Sequence, residues 1–243
     1  MADVSDTAGP WPVVDPSAVA ERVEEVRARI ARAGDRDRVR LVAVTKGFGP
    51  DAVAAALAAG VHDLGESYAP ELAAKVLATQ SAGPEVRWHF VGRLQSNKVR
   101  RLAGVVHLWH SVDRRSVVEA LARHAAGATV LVQVNVTGAP GQGGCEPTAV
   151  PDLVAEIGAR GLKVSGLMCV GAPGGPTAAR PGFRRLRALA DDLGVDECSM
   201  GMSGDLEAGV EEGATIVRVG TALFGARPAP RAGPRGGATG LRH

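Results

Sequence analysis

A chain of 243 residues has room for one sizeable core, and its 32 glycines and single tyrosine suit repeated tight turns better than an aromatic-rich sandwich. No run approaches the ~18 consecutive apolar residues of a membrane span, and the start lacks the basic-then-apolar pattern of a secretory leader. The formal charge of +2 is carried by the end of the chain: residues 226–243 hold four arginines and no acid, which leaves residues 1–225 at −2; such a tail suits contact with nucleic acid or a membrane, but solvated disorder is the expectation taken.

In chain order, residues 1–16 hold three prolines and read as a disordered N-terminal segment. PSAVAERVEEVRARIARAG (16–34) has helical spacing and precedes the first strand-like run, VRLVAVT (39–45). PDAVAAALAAG (50–60) follows with alanine-rich propensity and a glycine stop, and then VHDLGES (61–67), RWHFVG (87–92) and VVHLWHSV (105–112) read as strands. Asp113 is placed to cap RRSVVEALARHAAG, which leads to TVLVQVNV (129–136). PTAVPDLVAEIGARG then separates that strand from LKVSGLMCV (162–170), and DECSMGM (196–202) and TIVRVGT (215–221) complete the series. The tail 227–243, Pro/Gly-rich and basic, cannot bury enough apolar surface to fold and reads as disordered.

Eight strands alternating with helices imply parallel pairing through right-handed crossovers. Eight units in one α/β domain over residues 17–226 predict a closed (β/α)8 TIM barrel. An open doubly wound sheet is the alternative, but the glycine-rich signature it needs after the first strand is absent. The three cysteines, Cys145, Cys169 and Cys198, are odd in number and widely spaced, as expected of reduced thiols in the cytoplasm.

In such a barrel the chemistry belongs at the C-terminal ends of the strands. Lys46 ends the first strand behind the apolar run LVAVT, where burial of Val42 and Val44 on its own face would lower its pKa and free an amine for a carbonyl compound. Arg218 lies inside the last strand on one face with Ile216 and Gly220. Arginine is rarely buried without a partner, so the guanidinium has either a dedicated ligand or a structural ion pair with Glu66 or Asp205. Ser203-Gly204 after the seventh strand and Gly220-Thr221 after the eighth combine hydroxyls with helix-start amides, which suits an anion such as phosphate. An amine, a phosphate cradle and an interior arginine together suggest pyridoxal 5′-phosphate (PLP), its aldehyde on Lys46 and its ring nitrogen toward Arg218.

VAVTK, GES-Y, WHFVGRLQSNK, HSVD, VQVN, GLM and SMGMSGDLEAGVEEGATIVRVGTALFG resemble, over residues 17–226, the pyridoxal phosphate homeostasis protein family. The resemblance implies a barrel similar to the N-terminal domain of alanine racemase, a fold-type III PLP protein. It implies a PLP-binding role in vitamin B6 homeostasis, without established catalytic turnover. Carried over by position, Lys46 is the Schiff-base lysine, Arg218 faces the pyridine nitrogen, and Ser203, Gly220 and Thr221 contact the phosphate; no residue is assigned as catalytic and none as a metal ligand. PLP-dependent apoenzymes are the implied protein partners, with no nucleic acid, no membrane and a monomeric state. Two positions depart from the family pattern. Ser67 stands where members carry asparagine, and Gln142 lies in GAPGQGG where members carry a lysine within Ser-Lys-x-Gly.

A PLP-dependent racemase or decarboxylase is the main rival reading. Racemization needs a second acid/base opposite the lysine, and Tyr68 on the second strand's loop is the one tyrosine of a chain that ends just after the barrel. A Schiff-base aldolase for a sugar phosphate would use the same lysine and loops and would be colourless, whereas bound PLP is yellow. A metal site on His107 and His110 is disfavoured, because an offset of three on a strand points them to opposite faces; His89 reads as a hydrogen-bonded core or loop histidine.

Overall fold

The computed structural model describes residues 11–79 and 86–226. Helix α1 (Pro16–Ala33) precedes β1 (Arg40–Val44), and then α2 (Pro50–Ala58), β2 (Asp63–Glu66), α3 (Ala69–Thr79) and β3 (Arg87–Phe90) follow. The order continues through α4 (Val99–Leu102), β4 (Val106–Val112), α5 (Arg115–His124), β5 (Thr129–Gln133), α6 (Val150–Ala159) and β6 (Lys163–Met168). It ends with α7 (Pro176–Leu193), β7 (Glu197–Ser199), α8 (Leu206–Glu211), β8 (Ile216–Val219) and α9 (Thr221–Phe224). All eight strands pair in parallel in sequence order, and β8 closes on β1 through Arg40↔Ile216 to Ala43↔Val219. The expected (β/α)8 barrel is the observed one.

Alternation along each strand sends one set of side chains outward beneath the helices and the other into the barrel. Outward residues such as Ala43, Leu64, Trp109, Val130 and Leu167 form the large core with the buried stripes of the helices, among them Val19, Val23, Val26 and Ile30 of α1. The inward apolar set is small: Val42, Val44, Leu108, Leu131, Met168 and Ile216. Polar side chains share the rest of the interior with them. Buried Asp63, His89, His110, Ser199 and Arg218 stand where most barrels of this kind stack Val, Ile and Leu.

Several sequence expectations shift by a few residues. The strand pattern ran past the true ends after β5 and β7, because Val134 and Met200 stay buried in the loops at the barrel mouth after regular pairing has stopped. Asp113 does not cap α5; its carboxylate takes the guanidinium of Arg114, and the helix starts without a side-chain cap. At the N-terminal side, residues 11–15 fall within the segment expected to be disordered, yet they pack on the barrel. Val14 is buried and its amide donates to Asp51 Oδ2 at 2.9 Å, and Trp11 lies against Gly49. Residues 1–10 and the tail 227–243 lie outside the described residues. Among those described, no helix is long and apolar enough to cross a membrane, and all three cysteines are free. Burial raises the Cys169 thiol to about 12 and those of Cys145 and Cys198 to about 11, so none is a thiolate at neutral pH.

Candidate functional site

Lys46 stands half-buried on the turn that follows β1. Three groups from the next strand and helix brace that turn. Lys75 of α3 donates from Nζ to the Thr45 carbonyl at 2.7 Å, Glu71 accepts from the Gly47 amide at 2.8 Å, and Glu66 accepts from Thr45 Oγ1 at 2.7 Å. Gly47 has φ of 80°, the left-handed region that a residue with Cβ rarely adopts, so glycine is what lets the chain double back directly after the lysine. Lys75 and Glu66 form an ion pair with no exposed surface on either side chain. Burial raises the Glu66 carboxyl despite its lysine partner. Breaking such a pair from one side typically costs about 3–5 kcal/mol, so the brace is stiff. Trp11 adds a ring centroid 5.5 Å from Lys75 Nζ.

Glu66 is therefore committed to Lys75, and the ion pair considered for Arg218 does not form with it. Arg218, 5 % exposed, donates to Ser199 Oγ at 2.7 Å and to the Cys169 carbonyl at 2.8 Å. No carboxylate oxygen is hydrogen-bonded to it among the described residues; Asp205 acts on it only at longer range. Burial pulls the guanidinium below its usual value, and it nonetheless stays charged at neutral pH. A buried cation held by two neutral acceptors has unspent donors and no carboxylate bonded to it.

A cavity of about 330 Å³ opens over this cation, within the ~300–1,000 Å³ typical of small-molecule sites. All five residues singled out from the sequence line it: Lys46, Ser203, Arg218, Gly220 and Thr221. Val44, Val91, Val170 and Phe48 supply its apolar walls, and Phe48 stacks against Phe224 of α9 with centroids 5.5 Å apart, tying the Lys46 turn to the last helix. Gly220, just after β8, lies close against the end of β1. A Cβ there would lie 3.0 Å from the Val44 carbonyl oxygen, so any side chain would push the two strand ends apart.

On the Ser203 side, Asp205 Oδ1 accepts from the Met202 amide at 2.6 Å and shapes the turn, while Ser203 Oγ accepts from the Ala222 amide at 3.1 Å. That bond clips the loop after β7 onto the start of α9 and leaves the Ser203 hydroxyl proton available. The amides of Ser203 and Gly204 bond to no protein acceptor among the described residues, and open space lies where a Gly204 Cβ would be. Helices α8 and α9 have only 6 and 4 residues, too short to add much of an aligned dipole to their first amides. The groups suited to an anion here are the Ser203 hydroxyl and the unpaired loop amides.

Other sequence candidates fall outside this cavity. Tyr68 is 53 % exposed and lines a neighbouring, wider cavity with Lys46, Arg93, Lys98 and Arg114. Gln142 bonds to Thr137 Oγ1 and to the Val170 carbonyl (3.0 Å), acting as a loop strut where a lysine was expected from the family pattern. His107 is the residue skipped where β4 pairs with β3, since Trp88 faces Val106 and His89 faces Leu108. Simple alternation therefore fails there, and its ring centroid lies 6.0 Å from that of His89. Among the described residues no group of three or more His, Cys, Asp or Glu side chains could hold a metal ion.

Sequence reasoning missed Lys75 and Glu71, whose helix lacks a strong signature, and it missed what His89 and His110 do. His89 Nδ1 and His110 Nε2 are 2.8 Å apart, and the chain extends to Asp63 Oδ1 (2.9 Å) at one end and Ser199 Oγ (2.9 Å) at the other. Burial lowers both imidazoles, although Asp63 opposes this at His89; at His110 the nearby His89, Arg218 and Arg40 push in the same direction. Burial alone would raise Asp63, but hydrogen bonds from His89 and the Arg87 fork hold it well below the usual carboxylate range.

A pH dependence follows. Unfolded histidines take up protons below about pH 6.5, and the two native imidazoles do so only at lower pH. Their contribution to stability is complete above that value and declines below it by up to ~1.4 kcal/mol per pH unit each. Glu66, with its raised carboxyl, works in the opposite direction, one group against two. Thermal unfolding is therefore expected at lower temperature at pH 5.5 than at pH 7.5. An unchanged midpoint would mean that the imidazoles titrate alike in both states.

Residues 14–228 match the family model described as the alanine racemase N-terminal domain. The pyridoxal phosphate homeostasis protein of Pseudomonas aeruginosa is 43% identical over 224 residues, covering 87% of this chain and 96% of that protein. The one from Escherichia coli is 32% identical, covering 86% and 97%. Among solved structures, PipY of Synechococcus elongatus with PLP bound superposes with a TM-score of 0.74 at 31% identity, covering 85% of this chain and all (100%) of that one. Alanine racemase from Corynebacterium glutamicum, at 18% identity and TM-score 0.67 over 90% of this chain and 64% of that one, shares the fold.

Proposed function

The chain belongs to the pyridoxal phosphate homeostasis protein family, and from that premise we propose that it binds PLP in the barrel mouth as a carrier within cytoplasmic vitamin B6 homeostasis. The observation that supports this most is the shared cavity: a lysine on a braced turn, a buried cation without a carboxylate, and two hydroxyl-bearing loops line one small space. The residues fit the group. Lys46 would hold its aldehyde carbon as a Schiff base, Arg218 would face its ring nitrogen, and Ser203, Gly220 and Thr221 would hold its phosphate. When bound, PLP supplies an aldehyde that exchanges reversibly between amines.

Each residue's contribution follows from its setting. Arg218 has only donors, so an acceptor nitrogen opposite it stays unprotonated and withdraws electrons weakly. Val44, Val91 and Val170 exclude water from the face of the site. No tyrosine lines the cavity, and Tyr68 opens instead on the wider space beside Lys46. Among the described residues no tyrosine serves as a second proton donor within this cavity, which supports the carrier reading, and on that reading the protein delivers PLP to apoenzymes as a monomer.

The experiment loads the protein with PLP and follows two readouts. Deuterium exchange at Cα of L- and D-alanine is expected to be negligible against ordinary enzyme rates of roughly 1–10³ s⁻¹. An apoenzyme added to the loaded protein is expected to gain activity. Exchange at enzymatic rates would instead make this a small racemase.

A further inference from the structure

Five polar side chains from five strands form one continuous hydrogen-bonded chain through the barrel interior. It runs from Asp63 on β2 through His89 on β3 and His110 on β4, then crosses to Ser199 on β7 and Arg218 on β8, with spacings of 2.9, 2.8, 2.9 and 2.7 Å. His89, His110 and Ser199 have no exposed surface, and Asp63 and Arg218 are 6 % and 5 % exposed. Buried polar groups in an interior otherwise lined by Val42, Val44, Leu108, Leu131, Met168 and Ile216 need their hydrogen bonds. Core packing alone would be served by apolar residues.

The Asp63 carboxylate and two neutral imidazoles set the direction of every bond. Arginine can only donate, so Ser199 Oγ accepts from Arg218, and because burial holds His110 neutral with its Nδ1 free to accept, the serine hydroxyl donates there. His110 Nδ1 is then an acceptor, and its proton lies on Nε2, aimed at His89 Nδ1. His89 in turn carries its proton on Nε2 and donates it to the Asp63 carboxylate, which can only accept. Both imidazoles are neutral and every site in the chain is used once. A cation at His110 would add a third positive charge near Arg218 and Arg40 at a site with no exposed surface.

Such a chain does not conduct protons to the cavity, because arginine does not release one. Its effect is orientation. We propose that Asp63, His89, His110 and Ser199 are a positioning relay that locks the plane of the Arg218 guanidinium over the cavity it shares with Lys46. With Ser199 Oγ and the Cys169 carbonyl as two fixed points, the guanidinium cannot turn, and its remaining N–H groups stay aimed at the cavity. The relay tunes the PLP ring nitrogen through Arg218, and in this it rests on the reading that the cavity binds PLP. The far end is anchored by Arg87, whose Nε and Nη2 grip Asp63 at 3.0 and 2.6 Å.

The test uses PLP labelled with ¹⁵N at the ring nitrogen, with wild-type protein, Ser199→Ala and His110→Phe. Wild type is expected to show an unprotonated ring nitrogen throughout pH 6–8.5. Both variants should still take up PLP at saturating concentration, bind it roughly tenfold more weakly, and show a ring nitrogen that titrates within that range. Wild-type shift and affinity in both variants would overturn the proposal and leave the chain a merely structural network. If neither variant folds, long-range ¹H–¹⁵N spectra of the wild-type histidines decide: neutral His89 and His110 with protons on Nε2 support the relay, and a cation or an Nδ1–H tautomer at His110 overturns it. Failure of wild type to develop the visible band of bound PLP would refute the PLP reading itself, and that spectrum is recorded before any variant is compared.

Discussion

Lys46→Ala protein incubated with PLP, freed of unbound PLP and then treated with borohydride is expected to yield no pyridoxyl label on the peptide spanning residue 46 and no protein-bound visible band to bleach, whereas wild type yields both. The expectation rests on the competition among lysines. Lys75 is fully buried, paired with Glu66 and donating to the Thr45 carbonyl, so its amine is neither accessible nor free to attack. Lys98 lies at the rim of the wider neighbouring cavity, outside the one that holds Arg218 and the hydroxyl loops. Only Lys46 among these three lines the space where a phosphate cradle can hold the other end of an aldehyde, and positioning of this kind is what makes one amine react in preference to others. Peptide mapping of the reduced wild-type protein completes the measurement. A label confined to Lys75 or Lys98 would remove Lys46 from the proposed role.

The second large effect is expected from Ser203→Ala combined with Thr221→Ala. Each hydroxyl would donate a charge-assisted hydrogen bond to a phosphate oxygen, worth about 1.5–3 kcal/mol, so PLP affinity should fall by on the order of a hundredfold or more. Pyridoxal, which has the aldehyde and ring without the phosphate, should bind nearly as it does to wild type. Ser203 has one structural duty, accepting from the Ala222 amide. Thr221 is exposed and its hydroxyl makes no hydrogen bond among the described residues, so the single Thr221→Ala variant isolates the phosphate contribution from any loosening of the loop. Equal losses for PLP and pyridoxal in titrations of the double variant would show that the loops support the fold and leave the phosphate elsewhere.

What the sequence by itself determined is what short-range patterns encode. Strand-length apolar runs alternate with helical segments, and eight such units in one domain leave few ways to bury every face, so the closed barrel was readable from periodicity and count. The strand ends then named Lys46, Ser203, Arg218, Gly220 and Thr221 together, because chemistry in this architecture gathers at one end of every strand. The tertiary structure alone decided which partner each charge takes. Glu66 was a reasonable partner for Arg218 on sequence grounds, yet Lys75, nine positions on and one helix away, reaches it first and also grips the Thr45 carbonyl. The chain from Asp63 to Arg218 joins residues up to 155 positions apart that no local pattern relates; only closure of β8 onto β1 brings the seventh and eighth strands across the interior from the second, third and fourth. Residues 11–15 are too few to show a periodic pattern, and Trp11 and Val14 are held because a finished surface around Gly49, Asp51 and Lys75 is there to receive them. Hydrophobic periodicity is a property of neighbours in sequence, whereas the pairing of buried charges depends on which side chains the closed barrel brings within about 3 Å of one another.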